Sequence, residues 1–336
     1  MRYPKISGAP IPPAILPAIM WLHALYFVLG LLGLVAGAEW LVRGSASIAA
    51  ALGVRPLVIG LTIVAIGTSA PEMAVSVLAA LQGRGDVAIG NVVGSNIANL
   101  GLILGVTALI QPLVMQRTVV LREIPIMIAA ALIASIMAYD GTISRLDGVL
   151  LLGCGIAYLA IMLRTAQELP AIPLEQAVPT ASARPTLLKH AGVALAGLVL
   201  LVFAGRLLVN AAVAVAGTLG VSDLVIGMTV VAIGTSLPEL ATSVLAALRR
   251  QGDLAVGNVI GSNILNIFAI LGTTATLHPL SARPEIFNLE IPMMVVFSLA
   301  LLPLASRGMK LVRWEAALLI AAYAVFLSLL VSRGTV

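Results

Sequence analysis

The chain has 336 residues, of which 60% are hydrophobic and only 10% charged, with a formal net charge of +5. A soluble domain is excluded, because apolar atoms make up little more than half of an ordinary protein surface. In so apolar a chain the excess of Lys and Arg points to loops held on the cytoplasmic side, not to a nucleic-acid partner.

Apolar runs long enough to cross a bilayer as helices, about 20 residues each, recur from end to end. Ten spans are expected: about 22–42, 56–82, 86–110, 119–139 and 147–165, then 189–210, 223–248, 254–277, 287–305 and 313–332. Arg2 and Lys5 precede the first run, but Leu22 to Leu41 is long for the apolar part of a signal peptide and has a counterpart in Val193 to Leu208. It therefore reads as a retained span. Trp21, Tyr26, Trp40 and Trp314 fall near expected span ends, as interfacial aromatics do. So do His23, His190 and His278, which read as interfacial residues and not metal ligands. The single cysteine, Cys154, lies in an apolar run and has no intrachain partner. Gly30, Gly33 and Gly37 form a small-residue stripe suited to close helix packing within the chain.

Between the halves, residues 166–188 are rich in Pro, Glu, Thr and Arg, including Pro170, Pro173, Pro179 and Pro185. That composition reads as a cytoplasmic linker joining an N-terminal half, 1–165, to a C-terminal half, 189–336. Placing both termini outside puts twelve of the 19 Lys and Arg on the cytoplasmic side, among them Arg43, Arg55, Arg117, Arg249 and Arg250. Seven, including Arg84, Arg145, Arg206 and Arg283, then lie outside, and this imbalance sets the expected orientation.

The strongest signal is internal. GLTIVAIGTSAPEMAVSVLAAL and GDVAIGNVVGSNIANLGLILG, within residues 53–105, return as GMTVVAIGTSLPELATSVLAAL and GDLAVGNVIGSNILNIFAILG within 220–272. The offset is a constant 167 residues, taking Glu72 to Glu239 and Asn99 to Asn266. About two thirds of the aligned positions are identical, including Gly, Ser, Asn, Pro and Glu, which general hydrophobicity does not match by chance. With five spans per half, the second copy enters the membrane from the opposite side. The expected fold is thus an all-α integral membrane protein: ten transmembrane helices as two inverted-topology five-helix repeats, with helices 2 and 7 broken.

Each copy carries Gly-Thr-Ser-x-Pro-Glu inside an apolar span. Pro71 and Pro238 lack an N–H, so the carbonyls of Gly67 and Gly234 lose their helical partners. Open carbonyls at membrane depth are tolerated in a buried or wet cavity, where they serve as hard-cation ligands. Glu72 and Glu239 follow those prolines, and an ionised side chain at mid-span costs about 2.5–3.5 kcal/mol on insertion scales. No intramembrane Lys or Arg is matched to them, which leaves either a bound cation or protonated, backbone-bonded acids. Thr68, Ser69, Thr235 and Ser236 stand one turn earlier on the same side; their hydroxyls either ligate a cation or bond back to stabilise the bend. Ser95 with Asn99, and Ser262 with Asn266, are spaced i, i+4 on one face of the next span, as ligands or as interhelical glue. Asn91, Asn96, Asn258 and Asn263 read as packing or backbone-bonding residues.

Two carboxylates with carbonyl, hydroxyl and amide oxygens make an all-oxygen site of charge −2. That chemistry suits Ca²⁺, with Mn²⁺ also open, and not Zn²⁺ or Cu²⁺, which want Cys and His. No nucleophile–base constellation or phosphate-cradling loop marks an enzyme or an ATP-driven pump.

GTSAPE with GNVVGSNIAN, and GTSLPE with GNVIGSNILN, resemble the two α-repeats of the calcium/cation antiporter superfamily, specifically the prokaryotic sodium/calcium exchanger-like proteins. The resemblance covers nearly the whole chain. It implies a multi-pass protein of the cell membrane that exchanges Ca²⁺ for Na⁺ at a diamond-like cluster of sites, with sliding of spans 1 and 6. It implies calcium ligation by Glu72, Glu239 and the backbone carbonyls of Thr68 and Thr235. Sodium ligation is implied for Ala65, Ser69, Glu72, Ser95, Ala232, Ser236, Glu239 and Ser262. The central loop lacks a calcium-sensing domain. One departure stands out: sodium-coupled members often carry Asp at the position of Asn266, and here both copies have Asn, which opens proton coupling as an alternative. No cofactor, nucleic acid or obligate protein partner is expected beyond the transported ions and the bilayer. A passive cation channel and a non-transporting membrane sensor are the competing classes.

Overall fold

The computed structural model describes residues 16–168, 183–218 and 232–334. α1 (Leu16–Leu52) is one helix of 37 residues, about 55 Å long at 1.5 Å per residue and so longer than a bilayer core. It outruns the expected end at 42 because nothing between Arg43 and Leu52 breaks a helix. It stops at Gly53, whose φ of +65° and the Val54 N–H to Ala49 carbonyl bond of 3.0 Å close the last turn in the Schellman manner. Trp40 and Arg43 therefore lie within the helix and not at its end.

Pro56, pre-set for a first helical position, opens α2 (Pro56–Thr68). After one irregular residue, Ser69, the chain resumes as α3 (Ala70–Leu81), bent by 44° from α2. α4 (Gly85–Ile110), α5 (Val119–Met137) and α6 (Arg145–Glu168) complete the first half. The second half begins with α7 (Ala183–Thr218), and the described chain resumes at α8 (Ala232–Thr235) and α9 (Leu237–Leu248). α10 (Gly252–Leu277), α11 (Glu290–Ser306) and α12 (Arg313–Gly334) follow. The proposed linker is helical at both margins, because α6 runs to Glu168 and α7 starts at Ala183; its centre lies outside the described residues. So does most of the leading part of the expected span 223–248.

Among the described residues eight helices are long and apolar enough to cross a membrane, and the bent pair α2–α3 makes a ninth span. Burial sorts them. In α10, 94% of the most apolar window is enclosed, against 72% in α4 and 28% in α6, α7 and α12. α10 and α4 therefore form the centre, and the outer helices turn Leu25, Leu32, Ile156, Phe203 and Val325 outward as a lipid-facing surface requires.

α1 and α7 pack lengthwise on each other. A Cβ on Gly33 would stand 2.7 Å from the Ala204 Cβ, and one on Gly37 would stand 2.8 Å from the Gly197 carbonyl. The small-residue stripe thus serves contact within the chain. This pair forms most of a second, smaller core (Leu34, Leu41, Ala194, Leu201, Ala204), which Ile59 and Val64 of α2, Ala246 of α9 and Leu254 of α10 complete; the larger core lies around α4, α5, α10 and α11. Where the two bodies meet on one side, Glu39 of α1 pairs with Arg43 and with Arg249, whose Nε donates to Oε2 at 2.9 Å. At the 167-residue offset the partner of Glu39 is Arg206, and that of Arg249 is Gln82.

Two short clips tie the halves together. β1 (Leu113–Val114) pairs antiparallel with β4 (Lys310–Leu311), and β2 (Thr142–Ile143) with β3 (Leu280–Ser281).

Candidate cation-binding site

The site starts from proline chemistry. Pro71 has no N–H to offer Gly67, so the helix ends at Thr68 and Ser69 takes φ −82°, ψ 7°. The Gly67 carbonyl is nevertheless not left open, as the sequence had implied: a backbone N–H at the cap meets it, and the Ser69 N–H bonds the Ala65 carbonyl at 3.1 Å. Ser236 repeats the conformation, φ −90°, ψ 10°, between α8 and α9. Each break starts a new helix with its carboxylate in the first turn, Glu72 in α3 and Glu239 in α9, where the positive end of the helix favours an anion.

The two breaks face each other and exchange hydrogen bonds. Ser69 Oγ donates to Glu239 Oε1 at 3.0 Å, and Ser236 Oγ donates to Glu72 Oε1 at 3.1 Å. Each carboxylate is therefore held by the serine hydroxyl of the opposite half, and both glutamates are 1% exposed.

What these bonds leave over is the informative part. Glu72 Oε2, Glu239 Oε2, Asn99 Oδ1, Asn266 Oδ1 and Ser262 Oγ are buried with no hydrogen-bond partner. Leaving such atoms unsatisfied costs about 1–3 kcal/mol each, and more for charged groups. All five are oxygens, and a hard cation ligated by six to eight oxygens would satisfy them. Among the described residues no group of three or more His, Cys, Asp and Glu gathers, so the soft-metal alternatives have no ligand set.

The other candidates fall around this centre. Ser95 Oγ lies 3.5 Å from Ser236 Oγ, whose one proton goes to Glu72, so the Ser95 hydroxyl is the donor of the pair and ties α4 to the second break. The Ala65 carbonyl already accepts the Ser69 N–H, and Ala232 is the first residue of α8. Four asparagines do the bracing expected of them. Asn91 Nδ2 holds the Glu72 carbonyl at 3.2 Å and Ser76 Oγ at 3.0 Å; Asn258 Nδ2 does the same for the Glu239 carbonyl and Ser243. Asn258 Oδ1 also accepts from Thr68 at 3.1 Å. Asn96 Nδ2 donates to the Asn263 carbonyl at 3.2 Å and its Oδ1 accepts from Asn266 Nδ2 at 3.0 Å, joining α4 to α10.

Periodicity did not reveal two π-helical turns, Asn99–Ile103 and Asn266–Leu271, each opening on a site asparagine. One residue of extra register widens the helix there and re-aims its side chains, a common device at functional sites. Two cavities approach the breaks from different sides. One of about 350 Å³ runs from Ser95 past Asn91 to the Asp86–Arg283 ion pair; the other, about 130 Å³, touches Pro71, Thr235 and Pro238 beside Arg206 of α7.

The family pattern described as "Sodium/calcium exchanger protein" matches residues 22–164 and 189–332, one block in each half. The chain belongs to the sodium/calcium exchanger protein family. It is thus a multi-pass integral membrane protein of a transporter family and not of an enzyme family. This exchanger-family chain is 41% identical over 88% of its length, and 93% of the relative's, to the putative antiporter CaxA of Alkalimonas amylolytica. It is 37% identical to the sodium/calcium exchanger MaX1 of Methanosarcina acetivorans, over 91% of this chain and 97% of that one. A solved structure of the sodium-calcium exchanger NCX_Mj, soaked with zero Na⁺ and Ca²⁺, superimposes with a TM-score of 0.80 at 34% identity. That match covers 93% of this chain and 99% of the other.

Proposed function

We propose that this exchanger-family protein is a secondary active antiporter that moves Ca²⁺ against Na⁺ by alternating access at the Glu72–Glu239 centre. The observation that carries the reading is the reciprocal pair of buried carboxylates, each with one oxygen held across the interface and one left unpartnered, as Asn99 Oδ1, Asn266 Oδ1 and Ser262 Oγ are too. Two fixed negative charges balance one Ca²⁺ or two monovalent ions, so competition for one charge-matched set of oxygens makes exchange obligatory. Glu72, Glu239 and the Thr68 and Thr235 carbonyls are assigned to calcium. Ser69, Ser236, Ser95, Ser262, Ala65 and Ala232 complete the sodium positions with the same carboxylates, and Asn99 and Asn266 border them.

The architecture in this reading is ten spans in two inverted five-helix repeats. It is supported by the matched breaks at Ser69 and Ser236, the matched π-turns, and the exchanged clips: Leu113 and Leu280 are related by the 167-residue offset, yet each pairs with the other half. We place the protein in the cell membrane with both termini outside, following the Lys and Arg distribution. Likeness to the putative antiporter CaxA and to the sodium/calcium exchangers MaX1 and NCX_Mj supports exchange by antiport.

A second reading, proton-for-calcium exchange, rests on Asn266, which contributes an amide and no third carboxylate. Radioactive calcium uptake into proteoliposomes preloaded with sodium, with pH clamped on both sides, separates the two. Uptake that requires the outward sodium gradient supports sodium coupling. Uptake that ignores sodium and follows an imposed proton gradient replaces it with proton coupling. Flux independent of any counter-ion, with stable single-channel openings, would make the protein a channel and end both readings.

A further inference from the structure

The 167-residue offset that relates Glu72 to Glu239 also relates Glu123 to Glu290, and each is followed by Ile-Pro (Ile124-Pro125 and Ile291-Pro292). The two glutamates are treated differently by their surroundings. Glu123 is fully buried and fully tied: Arg122 Nε donates to Oε1 at 2.6 Å and the Tyr158 hydroxyl donates to Oε2 at 2.9 Å. At Glu290 the preceding residue is Leu289, and among the described residues the carboxylate makes no ion pair or side-chain hydrogen bond. Arg333 forms no ion pair with it and acts on it only at a distance. Unlike its twin, Glu290 is half-buried and lines the 350 Å³ cavity that leads to Ser95.

The charges along that cavity are unevenly cancelled. At its mouth Asp86 is neutralised by Arg283 at 2.7 Å. Glu285, on the exposed turn beside it, faces solvent and is screened. Glu290 alone combines partial enclosure with an unpaired carboxylate. A fixed charge in a narrow apolar-walled cavity focuses the local potential and raises the concentration of counter-ions there. The Coulomb energy doubles for a divalent ion at the same distance, so such a charge favours Ca²⁺ over Na⁺ before either reaches the centre.

We propose that Glu290 is a specificity-determining residue on the access route: it draws the incoming divalent cation into the cavity and hands it towards Ser95, without being a ligand of the occluded ion. The proposal rests on the exchange reading above. Its consequence is kinetic. Glu290 sets the apparent calcium KM from the side on which Asp86 and Arg283 lie, and leaves the maximal exchange rate unchanged.

The test compares wild type, Glu290→Gln and Glu290→Asp in sodium-loaded proteoliposomes, measuring initial calcium uptake over a range of external calcium. Choline chloride sets the ionic strength to about 20 mM or about 500 mM. The Debye length falls from roughly 20 Å to under 5 Å between these, which silences a charge acting at a distance but not a direct ligand. At low ionic strength Glu290→Gln is expected to raise KM about 3- to 10-fold, with maximal rate within twofold, and Glu290→Asp to retain most of the wild-type value. At high ionic strength the difference closes. In vesicles of mixed orientation only the molecules presenting the Arg283 face are affected, so the variant's uptake curve splits into two components. An unchanged KM at low ionic strength overturns the proposal. So does an increase of the same size at both ionic strengths, or a fall in maximal rate alone, since each marks a structural role. Wild-type vesicles without sodium-dependent uptake would overturn the exchange reading itself and this inference with it, a result distinct from wild-type exchange that Glu290→Gln leaves untouched.

Discussion

Replacing Glu239 with Gln separates what the site does with a cation from what it does without one. Gln is nearly isosteric, and its carbonyl oxygen can still accept the Ser69 hydroxyl that Glu239 Oε1 holds at 3.0 Å. The change therefore removes one charge and converts the unpartnered Oε2 into an N–H donor aimed at the position of the ion. A divalent ion among these residues would face one carboxylate instead of two. Leaving a buried charge uncompensated in this way costs about 3–5 kcal/mol, or roughly two to three and a half orders of magnitude in calcium Kd. Without calcium the sign reverses. Two carboxylates buried together repel, and removing one charge relieves that repulsion, so the ion-free protein should be more stable. Thermal melting in detergent with and without calcium reads both effects at once: a higher melting temperature in chelator, and loss of the calcium-induced rise. Uptake of radioactive calcium falls to background. A variant that still gains calcium-dependent stability within tenfold of the wild-type concentration would refute the assignment, and Glu72→Gln must behave the same way.

Other perturbations probe separate parts of the design. Ser69→Ala and Ser236→Ala each remove the hydroxyl that holds the opposite carboxylate, a bond to a charged acceptor worth about 1.5–3 kcal/mol; their losses of calcium affinity should agree within about threefold, and a large inequality counts against the reciprocal arrangement. Asn266→Asp adds a third acid to the centre, so calcium uptake should gain a dependence on pH or a steeper dependence on sodium that wild type lacks, read from uptake at clamped pH values. Gly261→Ala places a Cβ 2.7 Å from the Leu61 Cα and carbonyl, where only backbone can yield. The expected loss is about 1–3 kcal/mol of stability, with weakened calcium binding because α2 leads directly into the Ser69 break; unchanged melting would show that α10 and α2 separate freely.

Much of this architecture was written in residue types that have one physical use. Proline before a mid-span glutamate announces both a broken helix and a charge in need of a partner, and duplication at a fixed offset brought the two copies together. Ser69, Ser236, Glu72 and Glu239 were legible for that reason. The partnerships were not: nothing in Gly-Thr-Ser-x-Pro-Glu says that Ser69 bonds the glutamate of the other half, since the contact spans 170 residues of chain. Proline removes one donor but does not dictate where the neighbouring N–H groups turn, so the Gly67 carbonyl finds a partner that the motif does not announce. The π-turns at Asn99 and Asn266 leave hydrophobic periodicity almost unchanged over so few residues. Helix ends were set by positive-φ glycines such as Gly53 more than by the limits of the apolar runs, so α1 extended well past residue 42. Half of the difference between Glu123 and Glu290 stands in the sequence, as Arg122 against Leu289; the other half, the Tyr158 bond and the cavity wall, comes from tertiary packing.

The ion pairs at Glu39 carry a consequence for a machine built from two copies of one sequence. If the halves trade roles when the molecule opens to the other face, equal halves would make the two resting states mirror images of equal energy. Glu39 with Arg249 on one side, against Arg206 with Gln82 at the related positions, removes that degeneracy. Such a bias acts as a kinetic rectifier: it lets the protein load at one surface at lower ion concentrations than at the other. Around a complete cycle the bias cancels, so the gradient at which net flux stops is still fixed by how many ions of each kind share the centre. Direction of easy turnover and thermodynamic stalling point are therefore set by different residues, and selection can tune the first without disturbing the second.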